Sequence, residues 1–410
     1  MELRPRCYED WVEKSLDELG VFIKGKGVSR SQANSGSIPC VRYGEIYTQH
    51  NDIIKKFYSF ISREVAKEAV QLKTGDILFT CSGETKEEIG KSVAFTANLE
   101  AYAGGDIILL RGTSADAAFL GYRLNAKDVV LQKSSAGQGD AVVHINATAL
   151  GNIQVTLPRD IAEQKAIAAA LSDVDALLSS LDALITKKRD MKKAAMQELL
   201  TGKTRLPGFN GEWKMFELGK EGELQKENIN PQQNPKVFFD EYSMPAFDEG
   251  RLPQRVLGET MHSNRTRING PVLLFNKLNV RQKRVWLVSK TNENSVCSME
   301  FLPYQTSKLD LELLRHILLT DEATGFFESC STGTSNSQKR ITPSAFLEYE
   351  VNLPSDLSEQ QAIADVLSDM DAELEALEAR YAKVKDMKTG MMQELLTGKT
   401  RLVSTGEQHG

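Results

Sequence analysis

Positively charged side chains concentrate in the segment Arg251–Lys290, the part of the chain best equipped for chemistry with phosphate groups. These 40 residues carry nine lysines and arginines against one acid, Glu259, so the local net charge is +8. Such side chains neutralise phosphates, and an arginine can also bond O6 and N7 of guanine in a bidentate manner. Amide side chains, which pair with adenine, are interleaved with them: Asn264, Asn269, Asn276, Asn279 and Gln282. The segment therefore predicts a nucleic-acid contact, with an ordinary solvated face as the alternative.

Polar loops and a weaker basic segment complete the predicted contact set. The main segment contributes Arg265, Arg267, Lys277, Arg281, Lys283 and Arg284. The loop Ser331–Arg340 (STGTSNSQKR) adds Ser335, Asn336, Lys339 and Arg340. Near the N-terminus, the segment Lys24–Lys56 adds Lys24, Lys26, Arg30 and Arg42, and the loop Ser134–His144 adds Gln138. Either loop is also compatible with a simple Ser/Gly surface turn.

A repeated Thr-Gly-Lys-Thr tetrapeptide ends like a phosphate-binding loop, at Thr201–Thr204 and at Thr397–Thr400. That loop needs a glycine five residues before its second glycine and a strand in front of it. The corresponding positions hold Gln197 and Gln393, each inside a predicted helix. The tetrapeptide is therefore interpreted as a helix end.

Other catalytic motifs are not found. Gly25–Gly27 lacks the third glycine of a dinucleotide fingerprint, and the Asn-Pro pairs at 230 and 234 lack the second proline and the aromatic residue used by adenine methyltransferases. The five histidines never come within metal-ligand spacing of one another or of a cysteine, so no metal site is predicted. A nuclease site made of scattered acids and a lysine stays open as an alternative, although no pattern singles one out.

A long internal repeat organises the chain. Leu157–Leu206 and Leu353–Leu402 align without a gap at an offset of 196 and are identical at 31 of 50 positions. Both copies end in MQELLTGKTRL. A generic helix-forming composition does not keep register for so long, so the repeat indicates two copies of one structural element.

Each copy predicts one long helix. It opens with a Pro158-x-Asp160-x-x-Glu163 pattern, a capping box that recurs at 354–359, and ends at Gly202 or Gly398, where glycine can take the left-handed conformation. About 40 residues of helix form a rod of roughly 60 Å. Apolar residues at steps of four and three form a coiled-coil seam. The seam comprises Ile167, Leu171, Val174, Leu178, Leu181 and Ile185 in the first copy, and Ile363, Leu367, Met370, Leu374, Leu377, Tyr381 and Val384 in the second. Two such rods in one chain are predicted to pair antiparallel.

Two non-helical regions, 1–156 and 207–352, precede the helical regions 157–206 and 353–402, and a polar tail, 403–410, is expected to be frayed. Short β-type runs broken by turn residues indicate mixed α/β domains. The predicted strands are Ile38–Tyr43, Asp76–Thr80, Ser92–Thr96 and Asp106–Leu110, then Pro271–Phe275, Val285–Ser289 and Ser298–Leu302. The fold class is thus predicted as α+β: two globular domains separated by two long helices in an antiparallel coiled coil, with a pseudo-twofold internal repeat.

Composition bounds the possible classes. The 410 residues are 41% hydrophobic and 26% charged, which is ordinary globular usage. No run of eighteen apolar residues predicts a membrane span, and the N-terminus lacks the apolar core of a secretory signal. Five scattered cysteines without a Cys-x-x-Cys pair favour a reducing cytoplasm. The net charge of −6 would by itself argue against a nucleic-acid partner, but the local charge of +8 in Arg251–Lys290 removes that objection.

The two motif copies, LPRDIAEQKAIAAALSDVD and LPSDLSEQQAIADVLSDMD, each follow a divergent domain and lead to MQELLTGKTRL. This pattern resembles the specificity (S) subunit of a Type I restriction–modification system over essentially the whole chain. The resemblance implies two target recognition domains that each read half of a bipartite, asymmetric DNA sequence, and helices that space them. It implies no catalytic residue and no cofactor bound by this chain. The implied partners are double-stranded DNA, two modification subunits that carry S-adenosylmethionine and methylate adenine, and restriction subunits.

The residues support this interpretation independently. A rigid rod suits a ruler, because two DNA readers must meet groove faces about a helical turn (~34 Å) or more apart. Repeated helices offer two docking faces, although the first rod has net charge +2 and the second −4. The rival class is a coiled-coil scaffold that displays two ligand-binding domains without DNA specificity. The near-verbatim repeat and the basic segment favour DNA recognition over it.

Overall fold

A computed structural model of the chain describes residues 10–139, 142–333 and 338–402. These residues form two compact units. Unit 1 comprises the described residues up to Asp182 together with those from Ala379 onward, and unit 2 comprises Ala183–Glu378. Each long helix is divided between them, so each unit holds one part of either helix.

Unit 1 consists of small sheets and short helices that lead into the first long helix. Its strands are β1 (Trp11–Ser15), β2 (Val21–Lys24), β3 (Ile38–Val41), β4 (Ser59–Ile61), β5 (Val70–Gln71), β6 (Asp76–Thr80), β7 (Ser82–Gly83), β8 (Ser92–Phe95), β9 (Tyr102–Ala103), β10 (Ile107–Arg111), β11 (Val143–His144) and β12 (Gln154–Pro158). Its helices are α1 (Leu16–Leu19), α2 (Tyr43–Thr48), α3 (Arg63–Ala66), α4 (Ala117–Arg123), α5 (Lys127–Ala136), α6 (Ala147–Gly151) and α7 (Ile161–Leu199), which continues into unit 2.

Two four-stranded sheets carry the core of unit 1, in the orders β2-β10-β6-β8 and β4-β3-β9-β5. In the first sheet β6 and β10 are antiparallel, with Ile107 opposite Thr80. All five residues of β6 and the first four of β10 are buried, because the sheet is covered on both faces. The predicted strand Asp76–Thr80 is confirmed, and the runs predicted at 92–96 and 106–110 lie within one residue of β8 and β10.

Unit 2 repeats this plan with different strands. They are β13 (Trp213–Glu217), β14 (Glu223–Leu224), β15 (Asn228–Ile229), β16 (Phe238–Tyr242), β17 (Gln254–Leu257), β18 (Arg265–Arg267), β19 (Val272–Asn276), β20 (Val285–Val288), β21 (Ser295–Ser298), β22 (Phe301–Gln305) and β23 (Glu350–Pro354). The helices are α8 (Leu218–Glu221), α9 (Met244–Asp248), α10 (Leu311–Leu318), α11 (Asp321–Ser329), α12 (Pro343–Leu347) and α13 (Leu357–Leu395), which continues into unit 1. The sheet orders are β14-β22-β19-β20 and β15-β18-β21-β16-β17, with β13 paired to β23.

One strand prediction is wrong. The run Ser298–Leu302 is not a single strand, because the chain turns between β21 and β22. At this turn the Ser298 hydroxyl accepts a hydrogen bond from the backbone N–H of Glu300, at 3.3 Å. A serine that bonds the backbone two residues on stabilises a turn against an extended strand.

The long helices α7 and α13 each have 39 residues and pair antiparallel, as predicted. In unit 1, Ile167 and Leu171 share one core with Leu395 and Leu396 from the far end of the other helix. In unit 2, Leu199 shares a core with Ile363 and Leu367. Of the predicted seam, Leu178, Met370, Leu377 and Tyr381 are half-buried and the remaining members are buried.

The helix ends differ in part from the prediction. Gly202 and Gly398 have φ angles of 69° and 73°, the left-handed conformation expected of glycine after a helix. The predicted capping box is wrong. Asp160 does cap α7 by accepting the backbone N–H of Ala162 at 2.8 Å, but the Glu163 carboxylate binds an arginine instead of the cap backbone. Across the described ranges, no helix has the length and apolar composition needed to cross a membrane.

Candidate nucleic-acid interface and its spacer helices

A buried ion pair closes unit 1. Glu163, at the start of α7, is almost completely buried, and its two carboxylate oxygens accept hydrogen bonds from Nε and Nη2 of Arg401 at 2.6 and 2.7 Å. Arg401 also lies 3.6 Å from the carboxylate of Asp10. The C-terminal end of the second repeat is thus fixed to the N-terminal end of the first. We call this bidentate contact the clamp.

Unit 2 contains the same clamp made from the opposite copies. Arg205 donates from Nε and Nη2 to the buried Glu359 carboxylate at 2.5 and 2.6 Å. Glu359 and Arg401 occupy the same repeat positions as Glu163 and Arg205. Each clamp thus takes its glutamate from one copy of the repeat and its arginine from the other. Both copies therefore use the same two residue types at these positions.

The glutamine that follows the clamp glutamate positions the domain on the rod. In unit 1, Gln164 donates to the Pro158 carbonyl at 2.7 Å and accepts the backbone N–H of Asp116 at 2.7 Å. Asp116 in turn caps α4. In unit 2, Gln360 makes the same two contacts, with Pro354 and with Asp310, the cap of α10. One side chain therefore orients a domain helix on a spacer helix in each unit.

A tryptophan packs on the glycine that follows each long helix. A Cβ atom at Gly398 would lie 3.0 Å from the Trp11 ring, and one at Gly202 would lie 3.1 Å from the Trp213 ring. Both glycines also have positive φ. Conformation and close approach thus both require glycine at these two positions.

A buried polar cluster joins rod and domain in unit 1. The Tyr122 hydroxyl donates to Asp175 at 2.8 Å, and Nζ of Lys388 binds Asp175 and Asp52 at 2.7 and 2.9 Å. Burial disfavours the charged amine, but Asp52 and Asp175 outweigh it and raise the pKa of Lys388. The cluster fixes the loop that contains Asp52 to the rod.

Unit 2 has the equivalent cluster with a histidine in place of the tyrosine. Nε2 of His316 lies 3.0 Å from the Ser368 hydroxyl, and Lys192 is ion-paired with Asp371. Ser368, Asp371 and Lys192 correspond, at the repeat offset, to Ser172, Asp175 and Lys388. Glu312 and Arg315 of α10 complete the cluster. Burial, reinforced by the adjacent Arg315, lowers the pKa of His316 to about 4.

Acidification is expected to destabilise unit 2 through His316. Above pH 6.5 the imidazole is neutral in both folded and unfolded chains, and between pH 6.5 and about 4 only the unfolded chain takes up the proton. Stability should fall through this window by up to about 3 kcal/mol. Urea unfolding of unit 2 between pH 7 and 4.5 measures it. His316→Gln should remove most of the slope and the exposed His262→Gln should keep it, whereas equal slopes would contradict the assignment.

The predicted DNA-contact residues of unit 2 are mostly ion-paired. Arg265 pairs with Glu241, Arg267 with Glu227 at 3.1 Å, Arg281 with Glu328, Lys283 with Asp321 at 2.6 Å, Arg284 with Asp248 at 2.7 Å, and Arg340 with Glu300 at 3.1 Å. The local charge of +8 is thus offset in part, because five acids outside the segment pair with five of its basic side chains. Arg265 and Arg284 are also largely buried, so they shape the surface more than they extend from it.

Part of this set is brought together around two loops. The backbone N–H of Asn279 donates to the Lys339 carbonyl at 2.9 Å, and Leu278 forms a β-bridge with Arg340. Lys277, Arg281, Lys339 and Arg340 therefore lie on adjoining segments, whereas Arg265 and Arg267 lie on β18 of the other sheet. Among the described residues, neither Lys277 nor Lys339 has an ion-pair partner. Ser335 and Asn336 lie outside the described residues.

The predicted contacts of unit 1 are more exposed. Lys24, Lys26, Arg30 and Gln138 are all exposed, and the backbone of Gln138 exchanges hydrogen bonds with His144. Arg42 differs, because its Nε donates to the Ser59 hydroxyl at 3.0 Å and pairs with Glu45 at 3.3 Å. Arg42 thus holds β4 against α2.

Comparison with known proteins identifies the plan. The model of the Type I restriction modification DNA specificity domain matches residues 8–188 and 210–386, once in each half of the chain. The chain belongs to this Type I specificity family. Specificity subunits are the DNA-recognition subunits of restriction–modification systems and not their catalytic subunits.

Relatives extend over most of the specificity chain. The Type I restriction enzyme MjaVIII specificity subunit of Methanocaldococcus jannaschii is 23% identical, over 97% of this chain and 94% of its own. The putative MjaX specificity subunit of the same organism is 28% identical over 52% of this chain and 53% of its own. The crystal structure of a Type I S subunit from M. genitalium superposes with a TM-score of 0.63 at 13% identity, over 96% of this chain and 98% of that one. The resemblance and the α+β coiled-coil fold inferred from the sequence are confirmed.

Sequence reasoning missed the clamp of this specificity chain. Its signal was present, since Glu163, Arg205, Glu359 and Arg401 are retained in both repeats although a coiled coil needs only the seam. Within the described residues, no group of three or more His, Cys, Asp or Glu side chains is arranged to hold a metal ion.

Proposed function

We propose that each unit reads one half of a bipartite, asymmetric DNA target and that the chain positions two modification subunits and the restriction subunits on it, in the cytoplasm. In this assembly S-adenosylmethionine belongs to the modification subunits. The observation that carries the proposal is the repetition of one frame in two units whose remaining residues differ. The clamp, the glutamine contacts and the Trp–Gly contact recur, so both units can present a partner with the same frame.

The divergent surfaces are proposed as the readers. In unit 2 the proposed contacts are Lys277, Arg281, Lys339 and Arg340 around the adjoining loops, with Ser335 and Asn336 between them in the sequence. Arg265, Arg267, Lys283 and Arg284 flank them. In unit 1 they are Lys24, Lys26, Arg30 and Gln138, with Arg42 beneath. Cations paired to exposed carboxylates remain available to phosphates, because exposed ion pairs contribute little stability.

The antiparallel helices are proposed to set the spacing between half-sites. Each rises 1.5 Å per residue, so one added heptad in both helices lengthens the pair by about 10 Å, or about three base pairs, and keeps the seam in register. We expect the non-specific spacer of the target to lengthen by about that amount when seven residues follow both Asp182 and Glu378. Adenine-methylation mapping, in cells that express the chain with its modification subunits, gives the motif directly.

The matched control replaces seven rod residues without changing the length. An unchanged spacer in the lengthened chain, with methylation intact, would refute the ruler. Absence of any sequence-specific methylation by the wild-type assembly would refute DNA recognition itself and favour a scaffold.

A further inference from the structure

The two units contain the same edge strand in the same local frame. In unit 1, β4 lies at the edge of its sheet, antiparallel to β3, which is itself parallel to β9. In unit 2, β17 lies at the edge, antiparallel to β16, which is parallel to β21. A short helix, α2 or α9, follows the inner strand in each case. The edge strands are therefore equivalent, and their side chains can be compared position by position.

The chain from Lys56 to Ile61, which leads into β4 and includes it, exposes every second side chain; only Phe60 of the exposed residues lies in the strand itself. Lys56, Tyr58 and Phe60 are exposed, whereas Ser59 and Ile61 are buried. The exposed fractions of Tyr58 and Phe60 are 42% and 37%. Nζ of Lys56 lies 5.4 Å from the centroid of the Tyr58 ring, within cation–π range. We call these three side chains the outer face of β4.

The outer face is held rigidly from below. The buried ring of His50 meets the Tyr58 ring edge-on, with centroids 5.7 Å apart. Arg42 donates to the hydroxyl of Ser59, the residue between the two exposed rings. The Tyr58 ring, supported in this way, loses little conformational entropy when it binds a partner.

The outer face carries one positive charge. Lys56 is exposed and, among the described residues, has no ion-pair partner, whereas the exposed Lys55 lies 3.9 Å from the carboxylate of Asp175. Two acids of the preceding chain are occupied by other cations: Asp52 is buried and bound by Lys388, and Glu45 is buried and bound by Arg42. Cations beside aromatic rings match a DNA groove wall, where phosphates alternate with apolar sugars and thymine methyl groups.

The equivalent position in unit 2 has a different chemistry. Phe60 lies opposite Pro39, four residues before the start of α2, and Arg255 lies opposite Asp240, four residues before the start of α9. Arg255 is exposed and stacks over the Phe238 ring at 5.1 Å. One strand position thus holds an aromatic ring in one unit and an arginine in the other, within an otherwise repeated frame.

We propose that the outer face of the edge strand reads DNA, and that in unit 1 Lys56 binds a phosphate while Tyr58 and Phe60 contact sugars and thymine methyl groups of its half-site. The proposal rests on the proposed function of the chain. It adds Tyr58 and Phe60, which a count of basic residues does not include, and Lys56, which ends the basic segment Lys24–Lys56 but was not among the contacts predicted from it. The difference between Phe60 and Arg255 is then a difference between the two half-sites.

The test uses the full chain assembled with its modification subunits and the DNA target mapped for the wild type. Tyr58→Ala with Phe60→Ala should weaken target binding by roughly tenfold or more and relax the base requirement in one half of the motif only. Lys56→Ala should weaken binding and lower the salt dependence by about one ion, without a change of motif. Leu131→Ala, a control at an exposed apolar residue of α5, should change neither.

The outcomes separate the two proposals. If the wild type methylates a bipartite motif and all three outer-face substitutions keep its affinity, salt dependence and motif, the outer face does not read DNA, and the proposed function stands. If the double variant loses binding to the modification subunits while its DNA affinity is unchanged, the face docks protein and the inference is overturned. If the double variant fails to fold, two single variants decide: Lys56→Ala, and Phe60→Arg, which introduces the residue type that unit 2 has at the equivalent position. An unchanged motif and an unchanged salt dependence in both variants would overturn the inference.

Discussion

Arg401→Met is expected to destabilise unit 1 by about 3 kcal/mol, because it leaves the Glu163 carboxylate buried without its cation. The guanidinium fills two hydrogen-bond positions at once, and methionine of similar length supplies neither. A buried carboxylate that loses its partner tends to take up a proton, so the loss should be smaller at low pH. Hydrogen exchange of the backbone amides in β1 and β12 measures the stability of unit 1. Exchange in β13 and β23 of unit 2 provides an internal control.

The double variant Arg401→Met with Glu163→Met separates pairing from shape. Replacing both members by apolar residues removes the unpaired charge, so we expect the double variant to be more stable than the single one. If the two variants were equally unstable, the contribution of Arg401 would be steric and not ionic. Arg205→Met should act in the same direction on unit 2 and leave unit 1 unchanged.

Lys388→Met should destabilise unit 1 by about 3 kcal/mol at neutral pH and also loosen the segment that presents the outer face of β4. Lys388 binds both Asp52 and Asp175, which are largely buried. Its loss leaves two negatively charged carboxylates close together without the cation that neutralises them. Asp52 lies only a few residues before Lys56 and Tyr58. We therefore expect faster hydrogen exchange at residues 49–58 and weaker DNA binding.

Lys385→Met is the matched control, an exposed lysine one turn earlier in the same helix. It should change neither the stability nor the exchange of residues 49–58. A Lys388 variant with wild-type exchange there would show that the loop is held by its own contacts, and that the rod residue contributes only to the rod.

Much of the frame could be predicted because it is encoded locally. The seam follows from apolar residues at alternating steps of four and three, and Gly202 and Gly398 predict the helix ends by residue type alone. The strand Asp76–Thr80 is a short apolar run between turn residues, and it is a buried strand. These features need no knowledge of distant residues.

The site is harder to predict because its partners are distant in the sequence. Arg205 and Glu359 meet across 154 positions, and no periodicity relates them. The basic segment around Arg281 gains Glu328 and Asp321 from α11 only when the chain folds. The charge of +8 counted along the sequence is therefore not the charge of the folded surface. The outer face of β4 was missed for a different reason. Two of its three side chains, Tyr58 and Phe60, are uncharged rings, and a search for basic segments does not detect them.

The Trp–Gly contact closes each unit, but the chain between its two residues is very different in length. Gly202 and Trp213 are separated by only a short stretch of chain, whereas Trp11 and Gly398 are joined through nearly all of the sequence. For a flexible chain, closure entropy grows with the logarithm of loop length, which makes the longer closure less favourable by about 3 kcal/mol. A linker from residue 402 to residue 10 would abolish the difference and turn the chain into a ring. Either connection of that ring could then be cut without removing a contact.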